Sequence, residues 1–428
     1  MKRKEIKAVA FTLALFVASF TVGCAASQVE STTTQIETSV ATEEEVNDST
    51  ATEATLTNTS AVTSVEGSAI DVSELFSERD LAQEADLTGA VTIALSSNED
   101  TVITEEGVYV LSGSVENTIV LVEAADDAKI QIVLDGVNIT NETVPAIYVK
   151  TADKVFVTTT SSENSLQVTG SFVADGDTNL DAVIFSKADL TMNGTGSLEV
   201  ISQTGNGISS KDDLMITGGN YTITSAGDAI EANDAIAIYD GDITIDAGKD
   251  AIHSENTDDT SLGSFYMQNG SVNITAADDA IHANTVNQID GGTINITSCA
   301  EGIEGTYVQI NGGEITLTAT DDGINASAKS DLDVLIEVNG GTIDVTMASG
   351  DTDAFDANGN LTINAGTITI EATSAFDTDG TATLNGGEVT VNGEAITEIT
   401  QSQMGGGQMG GGQMGGPGGA GGMKKRGF

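Results

Sequence analysis

The sequence predicts an all-β fold, a right-handed parallel β-helix in which each turn takes about 22 residues. An apolar anchor recurs at nearly constant spacing, at Ile208, Ile230, Ile252, Ile281, Ile303, Ile324, Phe355 and Phe376. Such a period is typical of a solenoid, because each repeat can bury its apolar side only against its neighbours. Right-handedness is expected from the chirality of parallel crossover connections.

Within each repeat the same internal pattern recurs. Two apolar residues five positions apart flank a single or paired glycine, as Ile289 and Ile294 do around Gly291 and Gly292. Glycine permits the positive φ that a tight bend requires. A third apolar residue two positions later, such as Ile296, adds the alternation of a β-strand. We therefore expect three short strands, joined by bends, in every turn of the solenoid.

The solenoid is expected to span residues 86–400, flanked by segments of other composition. Residues 1–23 combine basic residues with a short apolar run, which is typical of a lipoprotein signal peptide. Residues 24–85 are rich in Ser, Thr and Glu and predict a disordered tether. Residues 401–428 are rich in Gly and Met and predict a flexible tail. Residues 86–204 alternate less regularly, as expected of the first turns and a cap.

The end of the signal segment, Thr21-Val22-Gly23-Cys24, resembles the cleavage box of bacterial lipoproteins. That resemblance implies that Cys24 carries a lipid and anchors an extracellular protein to the cell membrane. Ordinary secretion with cleavage nearby is the alternative. Only Cys299 is a further cysteine, so an intrachain disulfide is excluded in the lipidated chain and the repeats must stabilise the fold.

The chain is strongly acidic, with a formal net charge of −50 at pH 7. Such a surface repels phosphate backbones, so nucleic-acid binding is excluded on electrostatic grounds. The same charge attracts cations. We expect a monomer that binds metal ions.

Acidic side chains recur mostly two residues before and one residue after the anchors. Strands of neighbouring turns lie about 4.8 Å apart. Two bare carboxylates at that distance repel by about 3 kcal/mol at an effective dielectric constant of about 20. Calcium, which takes about six to eight oxygen ligands, would neutralise such columns. The predicted calcium ligands are Asp228, Glu231, Asp250, Asp278, Asp279, Glu301, Asp321, Asp322, Asp353 and Asp356.

Other interpretations of these columns stay open. They could form a solvated acidic edge that discourages aggregation. Zinc is disfavoured, because the chain has only two histidines and Cys299 is isolated. The two histidines, His253 and His282, occupy equivalent positions in consecutive turns and either contact a ligand or form a surface stack.

Two repeats carry insertions, around 254–264 and 326–333. Both follow the first strand of their repeat, so they are expected to wall one trough with Asp279, His282, Glu301 and Glu304 on its floor. The residues expected to contact a ligand are His253, His282, Glu304, Lys249 and Tyr307. Aromatic residues make up only 4% of the chain and Trp is absent, so a stacking platform for neutral sugars is poorly supplied; Tyr239, Tyr266 and Tyr307 offer a modest strip.

Three stretches carry a family resemblance: PAIYVKTADKVFVTTT (145–160), AVIFSKADLTMNGTGSLEV (182–200) and NGISSKDDLMITGGNYTIT (206–224). With the later repeats they resemble a bacterial secreted carbohydrate-binding domain family whose fold is a right-handed parallel β-helix similar to that of pectate lyases. The resemblance covers roughly 86–395. It implies binding of plant-wall polysaccharide, either acidic pectic chains such as polygalacturonate or cellulosic material, with calcium on the helix and no known catalytic centre.

Two alternatives to non-catalytic binding remain. A pectate lyase requires calcium and a strong base to take the C5 proton. None of the three arginines (Arg3, Arg79 and Arg426) falls in the predicted solenoid, which leaves Lys249 as the candidate base. The other alternative is a structural surface adhesin that calcium only rigidifies. We expect binding of acidic polysaccharide without cleavage.

Overall fold

The protein is described by a computed structural model for residues 69–350 and 352–400. The predicted signal peptide, lipidated Cys24, most of the predicted tether and the tail 401–428 lie outside these residues. Within the described part of the chain, no helix is both long and apolar enough to cross a membrane.

The described chain coils into a parallel β-helix with three strand-lined faces, which confirms the predicted architecture. The first face is a 12-stranded parallel sheet. It contains β2 (Thr101–Ile103), β4 (Val120–Glu123), β6 (Ile147–Thr151), β9 (Ala182–Ser186), β12 (Asn206–Ser210), β15 (Ile230–Ala232), β18 (Ile252–Ser254), β21 (Ile281–Ala283), β24 (Ile303–Gly305), β27 (Ile324–Ala326), β30 (Asp353–Ala357) and β33 (Ser374–Thr378).

The second and third faces belong to one 24-stranded sheet. It begins with β1 (Val91–Ala94), β3 (Gly107–Glu116) and β5 (Lys129–Asn141), the last of which pairs with strands of both faces. The second face continues with β7 (Lys154–Thr159), β10 (Asp189–Gly194), β13 (Asp213–Ile216), β16 (Ala235–Ile238), β19 (Ser264–Met267), β22 (Val286–Ile289), β25 (Tyr307–Ile310), β28 (Leu335–Val338), β31 (Asn360–Ile363) and β34 (Ala382–Leu384).

The third face contains β8 (Glu163–Val168), β11 (Ser197–Ser202), β14 (Asn220–Ser225), β17 (Asp242–Ala247), β20 (Ser271–Ala276), β23 (Thr293–Cys299), β26 (Glu314–Ala319), β29 (Thr342–Met347), β32 (Thr367–Glu371) and β35 (Glu388–Val391). Its outward side chains are polar and exposed, as at Asp246, Glu314 and Asp344. The strand β36 (Glu394–Ile396) pairs antiparallel with β35 and ends the described solenoid.

The anchors predicted from the repeat pair in register along the first face. Ile252 lies opposite Ile281, Ile281 opposite Ile303, and Phe355 opposite Phe376. All eight anchors are fully buried in one continuous core. The alignment puts the residue after each anchor on the outside of the first face, because successive side chains of a strand point to opposite sides.

The bends between the second and third faces depend on glycine, as predicted. Gly313 has a φ of +91°, and a Cβ added there would lie 3.0 Å from the carbonyl oxygen of Gly292 in the preceding turn. Both the positive φ and the lack of room for a side chain require glycine at this position.

The segment 69–83, which we call the N-terminal strap, packs along the second face. Its only helix, α1 (Glu78–Leu81), begins with a capping box formed by Ser77 and Asp80. Val72 and Phe76 are buried against Tyr266 and its neighbours. The prediction that residues 24–85 form a disordered tether is therefore wrong at the C-terminal end of this range. There, apolar side chains pack against the second face, which the composition of the segment does not reveal.

Candidate functional site

A column of carboxylates follows the edge of the first face, two residues before six of the eight anchors. The Asp250 Oδ1 atom accepts a hydrogen bond from the backbone N–H of Asp279 at 2.9 Å, and Asp228 accepts one from the N–H of Asp250 at 3.2 Å. Asp322 accepts from the N–H of Asp353 in the same way. One oxygen of each of these carboxylates therefore ties neighbouring turns together, while the second oxygen of Asp228 faces Lys249 and that of Asp250 contacts His253.

At the N-terminal end of the column, side chains of the protein supply the neutralising groups. Glu231 pairs with Lys211 at 3.1 Å and accepts hydrogen bonds from Asn206 and Ser209. Burial would raise the pKa of Glu231, but Lys211 and these donors outweigh it and hold the pKa below its usual value. Asp228 faces Lys249 at 3.8 Å. The structure thus gives these two predicted calcium ligands partners from the chain itself.

Two histidines occupy the centre of the outer column. The rings of His253 and His282 are stacked, with centroids 4.7 Å apart and an angle of 2° between their planes. The Nδ1 atom of His253 lies 2.5 Å from Asp250, and its Nε2 atom lies 3.2 Å from Glu255 in the first insertion. Of the two outcomes expected from the sequence, the structure shows a stack, in which His282 is buried and His253 half-buried among carboxylates.

His282 is bound by carboxylates of two turns. Its Nδ1 atom lies 3.1 Å from Asp279 Oδ2 and 2.8 Å from Glu304 Oε2. Burial opposes protonation of the imidazole, but the hydrogen bonds to Asp279 and Glu304 prevail and raise the pKa of His282 to about 10. Glu304 is held in turn by Lys329 at 2.8 Å and by Ser327. Burial raises the pKa of Glu304, yet His282 and Lys329 outweigh it and lower this pKa to about 2.

A second group consists only of carboxylates. Asp250, Asp278 and Asp279 place one ligand oxygen each within 4.8 Å of one another. Asp278 is exposed, whereas Asp250 is buried. Calcium takes oxygen ligands of the kind that this group offers. Asp250 also forms a hydrogen bond with His253.

At the C-terminal end of the column, two of the carboxylates have no basic partner among the described residues. Within the described chain, neither Asp322 nor Asp356 forms an ion pair with a basic side chain. Burial and nearby carboxylates raise the pKa of Asp322 to about 6 and that of Asp356 to about 7. Asp353 and Asp377 contribute to the negative potential at Asp356. Asp322, Asp353 and Asp356 therefore form an acidic group with mutual repulsion, although they are not among the groups of three ligand atoms within 4.8 Å of one another in the described chain.

The remaining predicted ligands, Glu301 and Asp321, differ in burial and in hydrogen bonding. Glu301 accepts a hydrogen bond of 2.7 Å from Asn325, while burial is the main cause that raises its pKa to about 7. Asp321 is exposed beside Asp322. Neither residue joins a group of three ligands among the described residues.

The two insertions wall one groove, as predicted, but its floor differs. A cavity of about 670 Å³ lies between Leu262 of the first insertion and Leu332 of the second, and Thr285 and Val286 line it from beneath. The predicted floor of Asp279, His282, Glu301 and Glu304 is wrong, because those side chains stand on the first face. The insertions leave after the first-face strands and lean towards the second face.

The aromatic strip expected to help bind a glycan is partly occupied by the N-terminal strap. Phe76 packs edge-on against Tyr239 at 5.4 Å between centroids and also contacts Tyr266. Tyr307, predicted as a ligand contact, donates a hydrogen bond of 2.6 Å to Glu337. These rings therefore pack and form hydrogen bonds with other residues on the second face.

The sequence analysis did not predict the side chains that the insertions and the strap place against the faces of the solenoid. Glu255 and Lys329 reach the histidine stack and Glu304, yet both lie outside the repeat pattern. Their one sequence signal is that each follows closely after a first-face strand, where an insertion begins. That position puts them next to the column.

With this geometry in view, comparison with known proteins assigns the class. The family model for "Carbohydrate-binding domain-containing protein" matches residues 97–354 and 307–395 of this chain. The chain belongs to this family of carbohydrate-binding domain proteins.

Among individual proteins, it is similar to a carbohydrate-binding domain-containing protein of Acetivibrio thermocellus, with 36% identity over 129 residues. The aligned part is 29% of this chain and 45% of the relative, so the match spans less than half the length of that protein. A solved structure, the gadolinium derivative of a polysaccharide lyase-like protein from C. thermocellum, aligns with 74% of this chain and 98% of its own, at 21% identity and a TM-score of 0.32.

Proposed function

We propose that the protein binds acidic plant cell-wall polysaccharide, such as polygalacturonate, at the cell surface through calcium ions and without cleaving it. Family membership supports a carbohydrate ligand. The observation that carries the calcium part is the acidic group of Asp322, Asp353 and Asp356. Burial and then the neighbouring carboxylates raise the pKa values of Asp322 and Asp356, and neither of these two has a basic partner in the described chain. The anchor in this proposal is the lipid at Cys24, which lies outside the described residues.

The donor set at this end of the column fits calcium. Its ligands would be carboxylate oxygens alone, which is the chemistry that calcium prefers. Calcium bound there supplies positive charge on an otherwise anionic face. A uronate carboxylate can then approach a surface that would repel it in the absence of the ion.

Neutral chains fit a different part of the surface. The groove between the insertions is lined by Asp213, Asp234, Asp259 and Asp331, which repel uronates but accept hydrogen bonds from sugar hydroxyls. Leu262 and Leu332 add apolar contact at its walls. In the proposal, cellulosic chains use this groove and pectic chains use the first face.

A lyase activity depending on Lys249 is the runner-up. The side chain of Lys249 is 64% exposed, and its charged partner is Asp228 at 3.8 Å. A base that must take a carbon-bound proton gains from a buried environment that lowers its pKa. The exposed setting of Lys249 supports a role in neutralising the column instead.

The test is affinity electrophoresis of the full-length protein in gels containing polygalacturonate. We expect retardation that EGTA abolishes and added calcium restores. The double substitution Asp322→Asn and Asp356→Asn should remove the retardation, whereas Asp344→Asn, on the exposed third face, should leave it unchanged. Retardation insensitive to EGTA would refute the role of calcium.

The same material separates the alternatives. Incubation with polygalacturonate should give no ultraviolet-absorbing unsaturated product; product that disappears in Lys249→Ala would establish the lyase. Absence of retardation by every glycan tested, including soluble cellulosic chains, would favour the structural adhesin.

A further inference from the structure

The N-terminal strap covers three side chains of the second face that are placed to bind an extended polymer. Tyr266, Gln288 and Gln309 occupy equivalent positions of β19, β22 and β25. They point outward, since the residue after each of them lies in the core. All three are nevertheless buried, because residues 69–76 of the strap lie over them. We call these three side chains the covered strip.

Hydrogen bonds hold the two glutamines of the strip with their carbonyl oxygens facing the strap. Gln288 Nε2 donates to Asp290 at 3.0 Å, and Gln309 Nε2 donates to Glu337 at 2.8 Å. The two Oε1 atoms accept from two consecutive backbone N–H groups of the strap, at 2.7 Å and 2.9 Å. The strip therefore presents two oriented acceptors on neighbouring turns, about 4.8 Å apart, beside an aromatic ring.

The covered strip borders the groove between the insertions. Ser264 and Val286 line that groove, and they lie two residues before Tyr266 and Gln288 on the same strands. Side chains two residues apart in a strand point to the same side of the sheet. The strip therefore continues the surface of the groove, and the strap lies over this continuation.

The two halves of the strap are held unequally. The C-terminal half is fixed by the buried pair of Asp80 and Lys154 and by further hydrogen bonds to Asp80 from the second face. Residues 69–76 are held chiefly by the apolar contacts of Val72 and Phe76 and by the two backbone hydrogen bonds to the glutamines. Segments with few buried contacts open at the lowest free energy. Residues 69–76 can thus lift while Asp80 keeps the strap attached.

We propose that residues 69–76 are a lid over a binding strip for a neutral glycan chain. This inference rests on the carbohydrate ligand of the proposed function and adds a second set of contacts for a neutral chain in the groove. With the lid open, the ring of Tyr266 offers apolar surface to a sugar ring. The carbonyl oxygens of Gln288 and Gln309 then accept hydrogen bonds from sugar hydroxyls in place of the backbone N–H groups.

The surroundings of the strip favour a neutral glycan over other polymers. The carboxylates of Asp290 and Glu337, which hold the glutamines, repel uronates. A polypeptide strand would satisfy the same acceptors, as the strap itself does, but the family to which the chain belongs points to carbohydrate.

The experiment measures binding of cellohexaose to the full-length protein by calorimetry, with Val72→Asp as the open-lid variant. A carboxylate at this buried position opposes closure. Because a closed lid reduces apparent affinity to the open fraction, we expect Val72→Asp to bind cellohexaose about tenfold more tightly. Ser73→Asp, the same charge at an exposed position of the lid, should bind as the unaltered protein does. Adding Gln288→Leu to Val72→Asp should remove the gain.

Equal affinity of Val72→Asp and the unaltered protein, or no binding by either, would overturn the proposal. Hydrogen exchange gives a test that needs no variant: saturating cellohexaose should speed exchange at the backbone N–H groups of Ala69 and Ile70, since the glycan displaces the lid. Unchanged or slower exchange would contradict it. A synthetic peptide of residues 69–76 that binds Val72→Asp where cellohexaose does not would show a peptide groove instead.

A parallel measurement separates this proposal from the proposed function. Retardation by polygalacturonate with calcium concerns the first face and should be the same in Val72→Asp and in the unaltered protein. Its absence from both would refute calcium-dependent uronate binding whatever the lid does, so the two failures are distinguishable.

Discussion

Asp80 and Lys154 form an ion pair of 2.8 Å in which both side chains are almost fully buried, at 2% and 10% exposure. Asp80 also accepts hydrogen bonds from Ser77 and Thr191. Burial would raise the pKa of Asp80, but Lys154 and the hydroxyl donors outweigh it and lower this pKa. The pair fixes the N-terminal strap to the second face of the solenoid.

Asp80→Asn should therefore loosen the strap without unfolding the solenoid. Removing one partner of a buried ion pair costs about 3 kcal/mol or more, because the other charge stays buried. Limited proteolysis should then cut within residues 69–85 far faster than in the unaltered protein. Asp71→Asn, at the exposed start of the strap where the carboxylate accepts hydrogen bonds from the nearby Ser73, is the control. Equal protease resistance of both variants would contradict the prediction.

Asp213 should make the stability of the fold depend on pH. Burial, followed by repulsion from Asp189, Asp212 and Asp234, raises the pKa of Asp213 to about 6. A carboxyl whose pKa is higher in the folded state binds more protons there, so stability falls as the pH rises from about 4 to 6. Asp213→Asn should stabilise the protein at pH 7.5 by about 1 kcal/mol, after allowance for solvent screening.

That gain should shrink as the pH falls and vanish at about pH 3, where the carboxyl is largely protonated in both states. Urea denaturation at the two pH values measures it. Asp246→Asn, an exposed carboxylate on the third face, should change stability little at either pH. A gain that is the same at both pH values would speak against the pKa of Asp213 as its cause.

Calcium should raise the melting temperature through the acidic group at the C-terminal end of the column. An ion present at about 100 times its dissociation constant stabilises the folded state by about 2.7 kcal/mol. The double substitution Asp322→Asn and Asp356→Asn should abolish most of this effect. It should also stabilise the calcium-free protein, because it removes like charges. Thermal unfolding with EGTA and with calcium would test both parts, and an undiminished calcium response would refute the assignment.

The bends offer a matched pair of glycine substitutions. Gly89 has a φ of +78° and open space around an added Cβ, whereas Gly313 combines a φ of +91° with a neighbouring carbonyl oxygen 3.0 Å away. Gly89→Ala should cost about 1 kcal/mol from the left-handed conformation alone. Gly313→Ala should cost clearly more, about 2–3 kcal/mol. Equal costs in urea denaturation would mean that the turn-to-turn contact is not tight.

Much of the fold was predictable because the solenoid repeats one local rule. Once Ile281 and Ile303 are recognised as equivalent, their pairing and burial follow from periodicity. The residue after each anchor, such as His282 or Glu304, is then placed on the outer column without further information. This is why the predicted ligands do line one face in order.

The partners of those residues could not be predicted in the same way. Lys329 belongs to an insertion, and whether it reaches Glu304 depends on the path of a loop that no repeat constrains. The N-terminal strap is polar enough in composition to suggest a tether, yet Val72 and Phe76 find apolar neighbours on the second face. Contacts of this kind join parts of the chain that are far apart in sequence.

The sequence by itself determined the parallel β-helix, its register and the outward columns of acids, because a fixed period of apolar residues leaves neighbouring turns one way to bury them. Only the tertiary structure decided which carboxylates have a lysine partner and which have none among the described residues. That division depends on three side chains, Lys211, Lys249 and Lys329. Each lies within a few ångström of a carboxylate, and the strength of a charge–charge interaction depends on that distance.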